Sequence, residues 1–345
     1  MYKNILIVKL SAIGDVIHAL PVAHALKQKF PTAKITWVVE KPAYDLLTNN
    51  PDIDEIIIFE KKKFKTITGF LQYAIPFIKK LRQYKFDLAL DLQGLFKSGI
   101  ISYLSGAKER LVYENTREGS QFLGKRIVGK YSKGHVVQRC LDVTRALGCQ
   151  IDKPTFTINI TLEEQELTRD IALQAGLDLE KPYVVLALAA NWPNKIWPYE
   201  HFAKLCNALY KKNIIPVMIG GPGDGKIAKM ISAITEIPAI DLTGKTNLKQ
   251  LAYIIKKAKV FLGGDTGPMH LAVAVETPTI ALMGPTDILR NGPLGDRHLP
   301  IIVPYDCAGC WQRSCPKKID CLSAITVERV YQGICNLYYS KFDLN

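Results

Sequence analysis

Short apolar runs alternate with helical patterns along the chain, and this alternation constrains the fold more than any other feature. It predicts strands at Ile5–Val8, Lys34–Val39, Glu55–Phe59, Leu88–Leu92, Tyr183–Ala187, Ile215–Ile219, Ala239–Asp241, Val260–Leu262, Thr279–Met283 and Ile301–Val303. Between them it predicts helices at Val16–Phe30, Ala43–Asn49, Phe70–Gln83, Leu162–Ala175, Tyr199–Lys212, Lys226–Ile234, Leu248–Lys257, Pro268–Val275 and Val327–Tyr339. Such alternation is typical of parallel sheets covered by helices on both faces.

The chain has 345 residues, which is enough for two domains. The boundary is expected between residues 150 and 182, where an acidic helical pattern precedes a proline. We predict one α/β domain over residues 1–165 and a second over 166–326. The last segment, 327–345, is predicted to be helical and could pack back on the first domain.

The positive charge of the chain is concentrated in its first half. Residues 1–150 hold 24 Lys and Arg against 13 Asp and Glu, a surplus of 11, whereas residues 151–345 have a surplus of only two. A solvated surface would explain this surplus, and so would an acidic glycan, an anionic lipid surface or a nucleic acid. A nucleic acid is disfavoured because the basic half lacks interleaved aromatic and basic residues.

The sequence gives further bounds on location and redox chemistry. No apolar stretch approaches the roughly 20 residues of a membrane-spanning helix. We therefore expect a cytoplasmic protein, peripheral at most to the cytoplasmic face of a membrane. Eight cysteines in a chain of this length are too few for a disulfide scaffold.

Two turns join a buried strand to a helix start and predict anion sites. In residues 261–272 an apolar run ends in Gly263–Gly264, and Asp265-Thr266-Gly267 then opens a helix that contains His270. Near the N-terminus the strand 5–8 leads through Gly14 and Asp15 into a second helix. Free backbone N–H groups and the positive end of the helix dipole favour an anion at such a turn. One turn in each half predicts a ligand held between two domains.

Two charged residues near strand ends are candidates for catalysis. Asp15 has an ordinary role as an acceptor for the first N–H groups of a helix, and a functional role as a general base. Lys195 is the only cation in the stiff loop 191–198, which contains two prolines and two tryptophans. It is either a surface lysine beside a packing tryptophan or a positive charge directed at a phosphate.

Three further motifs leave their roles open. The glycine-rich loop 220–225 contains Asp224 and is either an ordinary strand–helix loop or a nucleotide loop, but it lacks the dinucleotide-binding spacing. A dehydrogenase is disfavoured because that fingerprint is also missing after the first strand. A basic cluster, Lys61–Lys63, is either solvated or contacts an anionic acceptor or membrane. Four cysteines are candidates for zinc or iron–sulfur ligands, for a disulfide or for packing: Cys307, Cys310, Cys315 and Cys321.

Taken together, these segments resemble glycosyltransferase family 9, the ADP-heptose:lipopolysaccharide heptosyltransferases. The resemblance covers nearly the whole chain and rests on residues 11–18, 91–98, 195–198, 264–270 and 283–286. Two more segments, 116–118 and 135–139, are similar to the heptosyltransferase I branch of that family.

The resemblance implies a GT-B architecture, with two Rossmann-like doubly wound domains that face each other across a cleft. It implies inverting transfer of heptose, without metal or cofactor, from ADP-heptose to a hydroxyl of lipid A-linked Kdo or a similar acidic glycolipid. Asp15 would be the base and Lys195 would contact the nucleotide phosphates. The implied donor-binding residues are Asn191, Lys195, Asp224, Thr246, Asp265, Thr266, Gly267 and His270. The implied acceptor-binding residues are Lys61, Lys62, Lys63, Gln93, Lys97 and Arg117.

The chain departs from the family pattern in two places. Ala190 and Asn191 replace a hydroxyl-rich loop before the lysine, and the neighbourhood of Thr246 lacks a methionine that flanks adenine. We expect a monomer at an anionic membrane surface with no nucleic-acid partner. Alternatives are another GT-B transferase or an epimerase with a different donor and, outside enzymes, a nucleic-acid-binding protein.

Overall fold

The computed structural model describes residues 2–64 and 66–340, apart from the side chains at positions 67, 70 and 71. The chain forms two compact units, residues 1–159 and 160–345. The second unit begins six residues before the predicted boundary because the acidic helix Leu162–Gln174 packs against helix Leu248–Lys257 of that unit. Residues 341–345 of the predicted C-terminal segment lie outside the described residues.

The first unit is one parallel sheet with helices in its connections. Its strands are β1 (Asn4–Val8), β2 (Lys34–Val39), β3 (Glu55–Ile58), β4 (Leu88–Asp91), β5 (Glu109–Tyr113) and β6 (Lys125–Ile127). Its α-helices are α1 (Ile13–Lys29), α2 (Ile67–Gln83), α3 (Phe96–Leu104) and α4 (Val136–Arg145), with 3₁₀ helices at Lys41–Leu47, Lys61–Phe64 and Ser120–Phe122. The strand order is β3-β2-β1-β4-β5-β6. The α-helix expected over residues 43–49 is a 3₁₀ helix instead, with a proline in its first turn.

The second unit repeats this plan. Its strands are β7 (Tyr183–Ala187), β8 (Ile215–Ile219), β9 (Ile240–Asp241), β10 (Val260–Gly264), β11 (Thr279–Met283) and β12 (Leu299–Ile302). Its helices are α5 (Leu162–Gln174), α6 (Tyr199–Tyr210), α7 (Gly225–Ile234), α8 (Leu248–Lys257), α9 (Gly267–Ala274), α10 (Ile288–Asn291) and α11 (Val327–Tyr339), with 3₁₀ helices at Pro193–Lys195, Pro222–Asp224 and Cys321–Ala324. The order β12-β11-β10-β7-β8-β9 places the first and fourth strands of this unit side by side.

Both sheets therefore have the doubly wound Rossmann order, and both are parallel throughout their paired strands. In this order successive strands are added first on one side of the first strand and then on its other side, so the switch point lies between β1 and β4 in one unit and between β7 and β10 in the other. Connections leave on opposite faces there and open a crevice at the carboxyl ends of the strands, where such sheets bind ligands. The fold thus selects four loops as candidates: those after β1, β4, β7 and β10.

Each unit has its own apolar core. In the first, α1 packs against α4, and the β1 side chains from Ile5 to Val8 are fully buried. In the second, the described contacts of α11 include α6, β10 and β11, and Gly333 lets that helix approach β12, since a Cβ there would lie 2.9 Å from Leu299 Cδ2. Whether α11 also packs on the first unit stays a prediction. Among the residues that the structure describes, no helix has both the length and the apolar content to span a membrane.

Candidate active site

A buried ion pair joins the loops after β7 and β10 in the second unit. The Lys195 ammonium donates to Asp265 Oδ2 at 2.7 Å, and the side chains are only 13% and 4% exposed. The other carboxylate oxygen, Oδ1, lies 3.0 Å from His270 Nε2. The cluster sits where α9 begins, since Thr266 is the N-cap residue and Gly267 the first helical residue. Two side chains that bear hydrogen-bond donors thus converge with the positive end of a helix.

The pKa of Asp265 reflects this environment. Burial acts to raise its pKa, but the hydrogen bond from His270 and the charges of His270 and Lys195 outweigh burial and hold the pKa well below its usual range. The carboxylate is therefore ionised at any physiological pH. A permanently charged Asp265 orients Lys195 and His270, and it cannot itself act as a general acid.

The close approach of the two loops depends on glycine. A Cβ at Gly264 would lie 2.5 Å from the Lys195 carbonyl oxygen, so a side chain at this position would push the Lys195 loop away. The opposite side of the loop is anchored to the segment before α11. Trp197 Nε1 donates to Ile325 O at 3.0 Å, and Asn194 Nδ2 donates to Gln312 O at 2.5 Å. Lys195 is thus held by backbone on both sides.

The other predicted donor-binding residues lie in the same unit but are spread over more loops. Asn191 is exposed at the start of the Lys195 loop. Asp224 follows β8 and accepts from Gly221 N at 2.6 Å, and Thr246 follows β9. The loops after β8 and β9 meet where Gly244 N donates to Gly220 O at 2.9 Å. The structure therefore joins Lys195, Asp265 and His270 directly, and it places Asp224 and Thr246 on an adjoining pair of loops.

In the first unit, Asp15 occupies the loop after β1 beside a buried lysine. Asp15 is the third residue of α1, and its Oδ2 accepts the Ala12 N–H at 3.1 Å, which is its ordinary structural role. Its side chain is nevertheless 43% exposed, and Lys9 Nζ lies 3.8 Å from Oδ1. Lys9 is 5% exposed and donates to Leu92 O at 2.8 Å. The Asp15 carboxylate is therefore open to solvent, and the buried Lys9 ammonium is held beside it.

The loop after β4 holds the Asp15 loop in place. Gln93 Oε1 accepts from Leu10 N at 3.0 Å and from Ser11 N at 3.2 Å. Asp91, at the end of β4, is buried and accepts from the N–H groups of Gln93 and Gly94 at 3.0 Å. Burial raises the pKa of Asp91 even though these bonds act to lower it. Gln93, which the resemblance assigns to the acceptor, thus also has a structural role.

The predicted acceptor-binding cations fall into two groups. Lys97 pairs with Glu40 at 2.7 Å, whereas Arg117 is exposed on the same side of the β4 loop, where its N–H donates to Gly94 O at 2.8 Å. Lys61–Lys63 lie on a separate 3₁₀ helix, where Lys63 pairs with Glu60 at 2.7 Å and lies over the Tyr73 ring. The structure therefore shows no contact that unites these residues into one site.

The four cysteines lie in the segment that supports the Lys195 loop. Cys307 and Cys310 are exposed, Cys315 is partly buried and Cys321 is buried, and all four are free thiols. Backbone N–H groups of Ile319 and Lys317 lower the pKa of Cys315, and its sulfur lies within hydrogen-bonding reach of Cys321. Within residues 2–64 and 66–340, no three His, Cys, Asp or Glu side chains are arranged to hold a metal ion.

Lys9 is the functional candidate that the sequence analysis did not select. Its signal was a charged residue directly after four apolar positions of a buried strand, where a lysine is rarely buried without a partner for its charge. His18 and His135 were also overlooked as a pair. Their ring centroids lie 5.8 Å apart in an edge-to-face arrangement, with His18 in α1 and His135 at the N-cap of α4.

Two doubly wound sheets, each with charged residues in the loops at its switch point, define a class of α/β protein that binds nucleotides and related ligands at those loops. The model of glycosyltransferase family 9 (heptosyltransferase) matches residues 75–319, and the chain belongs to this family. Each unit has the doubly wound α/β fold that the resemblance implies, as in solved heptosyltransferase structures.

Individual relatives support this placement. The lipopolysaccharide core heptosyltransferase OpsX of Haemophilus influenzae is 28% identical over 84% of this chain and 82% of its own length. Lipopolysaccharide heptosyltransferase 1 of Escherichia coli K12 is also 28% identical, over 88% of this chain and 94% of its own. The structure of the E. coli heptosyltransferase WaaC with ADP shares the fold at a TM-score of 0.77, with 24% identity over 97% of this chain and 99% of that one.

Proposed function

We propose that this chain transfers heptose from ADP-heptose, with inversion, to a Kdo hydroxyl of the lipopolysaccharide inner core. The observation that carries the proposal is the Lys195–Asp265–His270 cluster at the N-terminus of α9. A glycosyltransferase must stabilise the charge that develops on a departing nucleoside diphosphate. An ammonium, an imidazole and free backbone N–H groups at one point meet that need. The choice of heptose as the sugar and lipopolysaccharide as the acceptor is taken from the relatives, which are named lipopolysaccharide heptosyltransferases.

The second unit takes the donor in this proposal. Lys195 is preorganised by Asp265, so that little reorganisation is needed when a phosphate binds, and the helix start at Gly267 adds backbone donors. Thr266 Oγ1 is buried without a hydrogen-bond partner among the described residues, which suits a ligand oxygen or hydroxyl. Asn191, Asp224 and Thr246 complete the proposed donor contacts. A positioned donor to developing charge contributes on the order of 10²–10³ in rate.

The first unit supplies the base. Asp15 Oδ2 is occupied by a backbone N–H, but the side chain is exposed enough to accept the proton of an acceptor hydroxyl. The hydroxyl oxygen then forms a bond to the anomeric carbon as the bond from that carbon to the ADP oxygen breaks, and a single displacement inverts the centre. General-base assistance of this kind contributes about 10²–10⁴ in rate.

The test is the substitution Asp15→Asn. It preserves an oxygen acceptor for Ala12 N–H but removes the basic carboxylate, so turnover should fall at least about 100-fold while the dissociation constant for ADP is unchanged. Asp178→Asn is a matched control, because the Asp178 side chain is 45% exposed and its Oδ1 likewise accepts a backbone N–H. Undiminished turnover in Asp15→Asn would contradict the role of Asp15 as the general base.

The same assay separates a transferase from an epimerase. Release of free ADP from ADP-heptose should require the acceptor, because the displacement needs its hydroxyl. An epimerase would convert the nucleotide sugar without an acceptor. A thermal-shift comparison of ADP, UDP and GDP identifies the nucleobase of the donor, since a ligand that binds only the folded state raises the melting temperature.

The acidic acceptor is assigned to the basic first unit, with Arg117, Lys97, Gln93 and Lys61–Lys63 as its contacts. We also propose that the chain is a monomer that works at the anionic cytoplasmic face of the inner membrane, where a lipid A-linked acceptor would lie. A surplus of 11 positive charges over residues 1–150 supports both statements.

A further inference from the structure

An exposed, basic edge of the first unit is not used by the proposed reaction. Residues 119–134 include the outermost strand β6 and hold four basic and no acidic residues. We call residues 119–134 the β6 segment. Its basic side chains are Lys125, Arg126, Lys130 and Lys133, and all four are exposed. Basic residues on an edge strand also block pairing with other strands, so charge alone does not imply a ligand.

Large apolar side chains project from the same segment. Phe122 is 85% exposed and Val128 is 71% exposed, on either side of β6. Single apolar residues on a surface are ordinary, but two in one segment beside four cations form an amphipathic surface. An edge strand does not need them, since apolar side chains at an edge favour aggregation rather than prevent it.

Neighbouring elements extend this surface. The 3₁₀ helix that contains Phe122 contacts both α3 and β6. Arg110 bonds Leu123 O at 3.0 Å and lies over the Tyr103 ring of α3. Phe96 and Tyr103, both on α3, are each about half exposed. Four exposed apolar side chains therefore lie on the β6 segment and on α3, which contacts the 3₁₀ helix of that segment.

From this surface we infer that the β6 segment docks the protein on an anionic lipid bilayer. Phe122 and Val128 enter the region between headgroups and acyl chains, and Lys125, Arg126 and Lys130 bind the anionic headgroups. The inference rests on the proposed function only for the reason why a bilayer would be present. The positive charge of the β6 segment indicates an anionic bilayer as its partner. Helix α5 also exposes leucines, including Leu162 at 77%, but Glu163, Glu164 and Glu166 surround them and would repel an anionic surface.

The experiment measures binding of the full chain to sedimented vesicles without any donor or acceptor. Vesicles of phosphatidylcholine with one quarter phosphatidylglycerol should bind the protein at least tenfold more tightly than pure phosphatidylcholine, and salt should reduce binding. Phe122→Ser combined with Val128→Ser should weaken binding about tenfold, and so should Lys125→Glu combined with Arg126→Glu. Leu162→Ser is the matched apolar control and should bind like the wild type.

Two more measurements make the outcome decisive. Circular dichroism confirms that each variant is folded, and transfer to a soluble, delipidated acceptor should be unchanged, because none of these residues is assigned to the reaction. If the wild-type protein binds the anionic vesicles but transfers no heptose, the result contradicts the proposed function and leaves the docking inference intact. Equal binding to both vesicle types, or wild-type binding by Phe122→Ser/Val128→Ser, would overturn the inference. So would a wild-type dimer, measured by light scattering, that the Phe122 variant abolishes.

Discussion

Replacement of Asp265 by asparagine tests whether the carboxylate holds the candidate donor site together. The substitution keeps the shape of the side chain but removes the charge that pairs with Lys195 at 2.7 Å and bonds His270 at 3.0 Å. Loss of one partner from a buried ion pair costs about 3–5 kcal/mol. Lys195 keeps a contact with the Asp265 carbonyl at 3.3 Å and some exposure, so we expect the lower end, about 3 kcal/mol.

The assay is thermal unfolding at several pH values. For a domain of this size, about 3 kcal/mol corresponds to a fall in Tm of about 6–12 °C. The folded pKa of Asp265 lies below its unfolded value of about 3.9. The stabilisation by its charge is therefore complete well above pH 4 and is lost as the pH falls from about 4 towards the folded pKa. The gap between wild type and Asp265→Asn should be narrower at pH 3 than at pH 5.

Asp241→Asn is the control in the same unit, because the Asp241 carboxylate bonds only the N–H and hydroxyl of Thr243 in the described contacts. Its cost should stay near 1 kcal/mol. A loss of less than about 1 kcal/mol in Asp265→Asn, or a gap that does not narrow between pH 5 and pH 3, would refute the reasoning.

Three further predictions follow from the proposed function. Lys195→Ala should weaken ADP binding by at least tenfold in isothermal titration, since a hydrogen bond to a charged group contributes about 1.5–3 kcal/mol. Lys257→Ala, which removes a partly exposed lysine paired with Glu180, should leave ADP binding unchanged. Gly264→Ala should weaken ADP binding as well, because its Cβ would meet the Lys195 carbonyl. Transfer should survive EDTA, and a loss restored by a divalent ion would contradict the role given to Lys195. Higher salt, or charge reversal at Lys62 and Arg117, should raise KM for the acceptor more than for the donor, and equal effects on both would leave the basic surplus as surface solvation.

The strands that the sequence predicted well are the buried ones. The bounds of β7, β8 and β11 agree with the apolar runs, because a strand covered on both faces reads as a continuous run. Strands β5 and β6 were missed because they begin with charged pairs, Glu109-Arg110 and Lys125-Arg126. Towards the edge of a sheet a strand is less covered, so its sequence carries little apolar signal.

The candidate site was predictable in its parts but not in its assembly. Glycines, a helix start and a stiff loop marked Asp265 and Lys195 separately. The contact between them spans 70 positions and arises only because β10 pairs with β7 in parallel, with Leu262 opposite Leu186. The local sequence pattern of each segment does not predict which strands pair or in what register. The same holds for Gln93, whose bonds to Leu10 and Ser11 depend on the pairing of β1 with β4.

Each unit carries a lysine–aspartate pair near the carboxyl ends of its central strands, and burial separates the chemistry of the two pairs. In the second unit Asp265 is 4% exposed and its lysine lies at 2.7 Å, so the carboxylate is permanently charged and serves as an anchor. In the first unit Asp15 is 43% exposed and its lysine lies at 3.8 Å, below the carboxylate rather than bonded to it. Solvent reaches the Asp15 carboxylate, as the proposed base requires, whereas Asp265 stays ionised throughout the physiological range. This difference in exposure supports the assignment of the base to the first unit and of leaving-group stabilisation to the second.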